Sequence, residues 1–139
     1  MKETINVKWL DNMGFEADVK GAKIIIDANE EVGGKGLGPQ PKPLMMVSIA
    51  GCTGMDVVSI LKKMRVELDD FNIKVEGELT EEHPKHYTKM NIIYEFTGKN
   101  LPMNKIEKAV NLSQERYCGV SYNYRDAFEL THEIKVYEK

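Results

Sequence analysis

Residues 44–64 read LMMVSIAGCTGMDVVSILKKM. Leu44, Met45, Met46, Val47, Ile49, Met55, Val57, Val58, Ile60, Leu61 and Met64 cover nearly the whole circumference of a helix running from Leu44 to about Leu68, and a helix apolar all round is a buried one. Asp56 and Ser48 interrupt it and Lys62, Lys63 and Arg65 end it, so it reads as a core helix and not as a membrane span. The three cations complement the negative end of the helix dipole. Pro43, just upstream, suits a first helical position, where its missing N–H costs nothing. A domain of this size struggles to wrap such a helix on every side, which points to a large, intimate homodimer interface.

Within the helix, Cys52 lies in Ala50-Gly51-Cys52-Thr53-Gly54. A glycine in a helix interior costs about 1 kcal/mol against alanine, so two of them beside a thiol imply close packing or access for a ligand. Cys52 is more than two turns in, beyond the reach of the helix dipole. A reactive thiol there needs a cation or hydrogen-bond donor from elsewhere in the fold or from a partner chain.

Outward from the helix, the pattern is one of strands. Ile5, Val7 and Trp9 alternate with polar residues, Asp11-Asn12-Met13-Gly14 is a turn, Phe15, Ala17 and Val19 alternate again, and Lys23 to Ala28 follows Gly21 as a third strand. This reads as an antiparallel meander. Glu31 to Pro43 is a Gly/Pro-rich stretch without the Gly-Lys-Ser/Thr of a phosphate loop, and it reads as a flexible connector. After Asp69-Asp70, Ile73 to Thr80 and Met90 to Phe96 form a hairpin turned at residues 81–86. A second helix is expected over about Asn104 to Cys118. It would be capped by Asn104 with Glu107, striped by Ile106, Ala109, Val110, Ser113 and Tyr117, and ended by Gly119 as C′ residue. Phe128 to Val136 is the last strand. The order is βββ-α-ββ-α-β, an α+β fold in a single domain over residues 1–139.

The chain of 139 residues, 42% hydrophobic and 29% charged, suits a globular domain able to bury a core without staples. Its net charge of −3 argues against nucleic acid as a partner, which demands a concentrated basic surface. No apolar stretch follows Met1-Lys2-Glu3-Thr4, so no signal peptide is expected and a cytoplasmic location is the default. The two cysteines, Cys52 and Cys118, are no disulfide scaffold. Cys118 falls at a helix end and is able in principle to condense with a sulfenic acid on a second thiol. His83 and His86 with Glu81 and Glu82 fit no zinc spacing and read as a solvated turn. His132 reads as an inward-facing core histidine. No metal and no cofactor are expected.

Gly38-Pro39-Gln40-Pro41, the run from Ala50 to Met64, Glu81-Glu82-His83-Pro84, Glu107-Lys108-Ala109-Val110 and the run from Ser113 to Ser121 closely resemble the OsmC/Ohr family, most of all its YhfA-like branch. The resemblance implies two central helices packed against antiparallel sheets in an intertwined homodimer, with active sites at the subunit interface. It implies reduction of organic hydroperoxides, with Cys52 as the attacking cysteine and Cys118 as the resolving one, and a dithiol reductant that reopens their disulfide. The family usually has a glutamate nine residues before the first cysteine, where this chain has Pro43, and an arginine ahead of the cysteine helix, where this chain has none before Arg65. Lys35 and Lys42 are the nearest replacement cations. A non-catalytic homologue that binds a small apolar molecule or a redox partner at the dimer interface is the alternative. Thiol chemistry on another electrophile is a third reading.

Overall fold

The alternating N-terminal residues form three short strands in a computed structural model that describes residues 1–139. They are β1 (Asn6–Asp11), β2 (Gly14–Val19) and β3 (Ala22–Ile26), paired in that order as the expected antiparallel meander. Asn12 (φ 54°), Lys20 (φ 51°) and Gly21 (φ 93°) supply the left-handed backbone of the two hairpin turns. The chain divides into two compact units, Met1–Met45 and Met46–Lys139.

In the first unit, the Gly/Pro-rich stretch is an organised loop and not the flexible connector expected. The Asp27 carboxylate accepts backbone N–H bonds from Ala28 (2.7 Å), Lys35 (3.2 Å) and Leu37 (3.1 Å), and Asp27 N–H donates to the Pro39 carbonyl. The Leu37 N–H above all holds the Asp27 carboxyl below its ordinary range. A Cβ on Gly38 would lie 2.0 Å from the Ile25 carbonyl oxygen, so only glycine permits this fold-back.

The second unit is built on one sheet. Its strands are β4 (Asp70–Leu79), β5 (Tyr87–Gly98) and β6 (Glu129–Glu138), in the order β4-β5-β6. β4 and β5 form the expected hairpin, but β6 pairs with β5 in parallel, so the second sheet is mixed. A parallel neighbour needs a crossover, and the chain from Leu101 to Phe128 provides it. The central strand carries the core: Met90, Ile92, Tyr94 and Phe96 are fully buried.

Helix α1 (Leu44–Lys63) stops short of the expected Leu68. Arg65 takes a left-handed φ of 60°, Val66 N–H bonds back to the Leu61 carbonyl and Arg65 N–H to that of Lys62, the paired bonds of a Schellman stop. Ile49, Thr53, Gly54, Val57 and Leu61 face inward, and a Cβ on Gly54 would come within 2.8 Å of Ile73 Cδ1 on β4. In a single chain the helix is not buried all round. Val47 is 63% exposed, Met55 76% and Val58 48%. By length and composition α1 is apolar enough to cross a membrane, yet its inward face carries polar bonds into the protein, described below.

The expected second helix is two. Helix α2 (Met103–Leu112) runs into a single π-helical turn, Ser113–Tyr117, and helix α3 (Gly119–Ala127) follows. Pro102 occupies the N-cap of α2 with no side-chain cap, so Asn104 and Glu107 form no capping box. Ile106, Ala109, Val110 and Ser113 are buried as the stripe predicts, but Tyr117 is 56% exposed, because the wider turn rotates it out of phase. Gly119 opens α3 instead of closing the previous helix.

Candidate active site

Cys52 and Asp56 stand one turn apart on α1, and residues four apart share a helix face. The break between the π-helical turn and α3 brings Cys118 to that face. The Cys52 and Cys118 sulfurs and an Asp56 carboxylate oxygen all lie within 4.8 Å of one another. The structure thus unites the two cysteines singled out in the sequence and adds a carboxylate. Cys52 is half-buried and Cys118 buried, and both are free thiols.

Cys118 has an extended backbone (φ −77°, ψ 102°) and is the N-cap of α3, its Sγ accepting the Ser121 N–H at 3.3 Å. Burial pushes the Cys118 thiol above its ordinary value, against the pull of the Ser121 hydroxyl and N–H, and the neighbouring Cys52 adds to the rise. The Ser121 hydroxyl is fully buried and makes no well-formed hydrogen bond.

Behind the thiols runs a chain of hydroxyls. Ser113 Oγ donates to Asp56 Oδ2 at 2.9 Å. With its proton so committed, Ser113 Oγ accepts from Thr53 Oγ1 at 2.7 Å. Thr53 in turn accepts from the Tyr94 hydroxyl at 2.6 Å. The Gln114 amide donates to both Thr53 Oγ1 (3.2 Å) and the Tyr94 hydroxyl (2.8 Å). The directions of the three hydroxyl bonds follow from Asp56 as the final acceptor, and the Gln114 amide N–H donates in any case. Burial pushes the Tyr94 phenol up to about 12, over the opposing effect of the Thr53 and Gln114 bonds, which keeps it a donor. The π-helical turn is what aims both Ser113 and Gln114 at α1, and such turns recur at functional sites.

Arg125 donates to the Gln114 carbonyl at 3.3 Å and lies 4.7 Å over the Tyr122 ring. It buttresses the turn from behind. Of the two lysines considered as replacement cations, Lys35 pairs with Asp11 at 3.6 Å within the N-terminal unit, and Lys42 is an exposed residue of that unit.

The remaining sequence candidates lie elsewhere. His86 Nδ1 meets the Pro84 carbonyl at 2.6 Å in an exposed turn, as a solvated hairpin end would. His132 is exposed rather than a core histidine, because β6 is an edge strand. It meets Tyr94 edge-on at 6.0 Å, and partial burial lowers its basicity.

A family model described as OsmC-like protein matches residues 33–133. The chain belongs to the OsmC family. It is 34% identical over 131 residues to the protein YhfA of Escherichia coli K12, covering 94% of this chain and 95% of YhfA. A crystal structure of a hypothetical protein from Aquifex aeolicus VF5 superposes with a TM-score of 0.86 at 31% identity, over 100% of this chain and 98% of that one. The organic hydroperoxide resistance protein OhrB of Bacillus subtilis superposes at 0.67 and 18% identity, over 97% and 98% of the two chains; that likeness is one of fold. Among the residues of this OsmC-family site, Asp56, Thr53, Ser113, Gln114 and Tyr94 escaped the sequence reading. Asp56 had a signal, its place four residues after Cys52. Ser113 and Gln114 depend on the π-helical turn, for which the sequence offers no periodicity, and Thr53 and Tyr94 depend on the rotation of α1 against β5.

Proposed function

We propose that this OsmC-family chain is a thiol-dependent hydroperoxide reductase with Cys52 as nucleophile and Cys118 as resolving cysteine. The observation that carries the reading is the approach of the two sulfurs to within 4.8 Å; disulfide formation then needs only a modest side-chain and local backbone adjustment. Cys52 is the more accessible of the two, as the attacking thiol must be. Its sulfur attacks the hydroperoxide oxygen, the O–O bond breaks, and the alcohol leaves with a proton while Cys52 becomes a sulfenic acid. Cys118 then displaces water from that sulfur and closes the disulfide. An external dithiol, in a reducing compartment such as the cytoplasm, restores both thiols.

Asp56 is the acceptor for the Cys52 proton as the sulfur attacks. Ser113 holds the carboxylate in place, and the ordered hydroxyls behind Ser113 fix its orientation. Burial is the main cause of the raised Cys118 thiol, and a charge on Cys52 adds to it.

The reading includes a homodimer. The exposed stripe of α1 lines an open groove of about 770 Å³ with Phe71 and Ile73 of β4, and the N-terminal sheet leaves Val7, Trp9 and Phe15 exposed. A second copy of the chain is the occupant that the apolar helix calls for. The same groove supports the alternative of an apolar small-molecule binder.

Thiol loss after one equivalent of an organic hydroperoxide separates the two. Rapid loss of two thiols in the wild type, with a sulfenic acid trapped on Cys52 in Cys118→Ser and a loss slowed at least tenfold in Asp56→Asn, is the expected result. Loss no faster than for free cysteine would overturn the reductase and leave the groove as the functional feature.

A further inference from the structure

Cys52, Asp56 and Cys118 present three metal-binding atoms of mixed type, two sulfurs and one carboxylate oxygen, within 4.8 Å of one another. Tetrahedral zinc takes sulfur at about 2.3 Å and carboxylate oxygen at about 2.0–2.2 Å, so atoms of one shell sit roughly 3.6–3.8 Å apart. The separations of up to 4.8 Å exceed such a shell by about 1 Å at most, a distance within the reach of side-chain rotation. Three protein ligands leave the fourth position of such an ion to water.

The surroundings suit ligands that carry charge. A metal-bound carboxylate is normally oriented by a hydrogen bond from an outer residue, and Ser113 supplies it at Asp56 Oδ2. A metal-bound thiolate is stabilised by N–H and O–H donors. Cys118 receives the Ser121 N–H at the N-terminus of α3, and the buried Ser121 hydroxyl lies beside the same sulfur without a well-formed bond of its own. A hydroxyl in that state has a proton to donate and only an anionic sulfur to gain from it. Two thiolates and a carboxylate together would carry three negative charges, and the carboxylate takes its hydrogen bond from a neutral hydroxyl. A divalent cation balances most of that charge.

We propose that the reduced protein binds one thiophilic divalent ion, of the zinc class, through Cys52, Asp56 and Cys118. The ion and the disulfide exclude one another, because both need the same two sulfurs. Oxidation by a hydroperoxide releases the ion: the two thiolates give up two electrons and join, the hydroperoxide takes up those electrons with two protons, and the products are the alcohol, water, the disulfide and the free ion. Metal binding itself is independent of the reductase reading, since it requires no peroxide.

The test is an anaerobic titration of the reduced full-length protein with Co2+, followed by displacement with Zn2+. The expected result is one Co2+ per chain, with a thiolate-to-cobalt charge-transfer band and the intense visible bands of a four-coordinate ion, both lost when Zn2+ is added. Cys52→Ser and Cys118→Ser each lose most of the charge-transfer intensity, and Ser113→Ala weakens Zn2+ binding about 10- to 100-fold, the usual effect of removing an outer partner. Circular dichroism checks each variant. If a cysteine variant does not fold, Asp56→Asn reads the same site through a changed ligand-field spectrum and weaker binding. Only the spectrum of hexaaqua cobalt, or tight binding unchanged in the variants, would overturn the proposal. A protein that binds Zn2+ yet ignores hydroperoxide would keep the metal site and remove the reductase.

Discussion

Tyr94 is the residue on which the polar chain behind the thiols rests. Its phenol is held near 12 by burial, against about 10 for a free tyrosine. Because the folded value lies above the unfolded one, the stability that Tyr94 contributes is complete below about pH 10 and is lost as pH rises through the folded value. Burial also raises Tyr87 and Tyr124, and a spectroscopic titration of tyrosinate should show a component ionising near 12 that is absent in Tyr94→Phe. That variant should also be less stable by about 1 kcal/mol, the net worth of a typical hydrogen bond. An unchanged titration curve in Tyr94→Phe would mean that the late phenol is another residue. At this scale the sequence was only partly legible. Cys52 announced itself by its flanking glycines, but Tyr94 looked like one more inward residue of an alternating strand. Its hydroxyl acquires a role only because Thr53 is turned toward it, and Thr53 is set by the rotation of α1.

At the scale of elements, α1 carries two glycines with opposite demands. A methyl group on Gly51 meets nothing within 4 Å, whereas one on Gly54 meets Ile73 Cδ1 at 2.8 Å. In the isolated chain Gly51→Ala should therefore gain most of the helix propensity difference, about 1 kcal/mol. Gly54→Ala must displace Ile73 and should be less stable than Gly51→Ala by about 1–2 kcal/mol. Urea unfolding of both variants measures the difference, and equal stabilities would mean that Ile73 swings aside freely. Strands and α1 were legible because their periodicities of two and 3.6 are strong and long. The segment from Ser113 to Ala127 was not. A π-helical turn shifts the phase of the apolar stripe within five residues, and the second helix begins with a glycine that reads as a terminator. The parallel pairing of β6 was equally hidden, since alternation records which face is inward and not the direction of the neighbour.

For the whole molecule the exposed face of α1 decides the outcome. If a second copy covers it, Met55→Lys places a charge in that interface and should shift the protein toward monomer in sedimentation. The Tm of the wild type should also rise with protein concentration, because association stabilises only the folded form. A wild type that sediments as a monomer, with a Tm independent of concentration, would remove the homodimer. Composition bore on this scale only through the helix: its apolar circumference exceeds what one small chain buries, and the structure shows which half is left over.

The parallel strand β6 has one more consequence, and it concerns the order of events during synthesis. Cys118 lies inside the crossover between β5 and β6, so its place beside Cys52 depends on a strand that leaves the ribosome after both thiols have emerged. Pairings remote in sequence form late, after the loop-closure entropy has been met. A nascent chain halted before Glu129 possesses both cysteines and most of the central sheet, yet lacks the strand that anchors the crossover. The two sulfurs are thereby expected to come together only once β6 has paired with β5, so that the site is completed by the last strand of the fold.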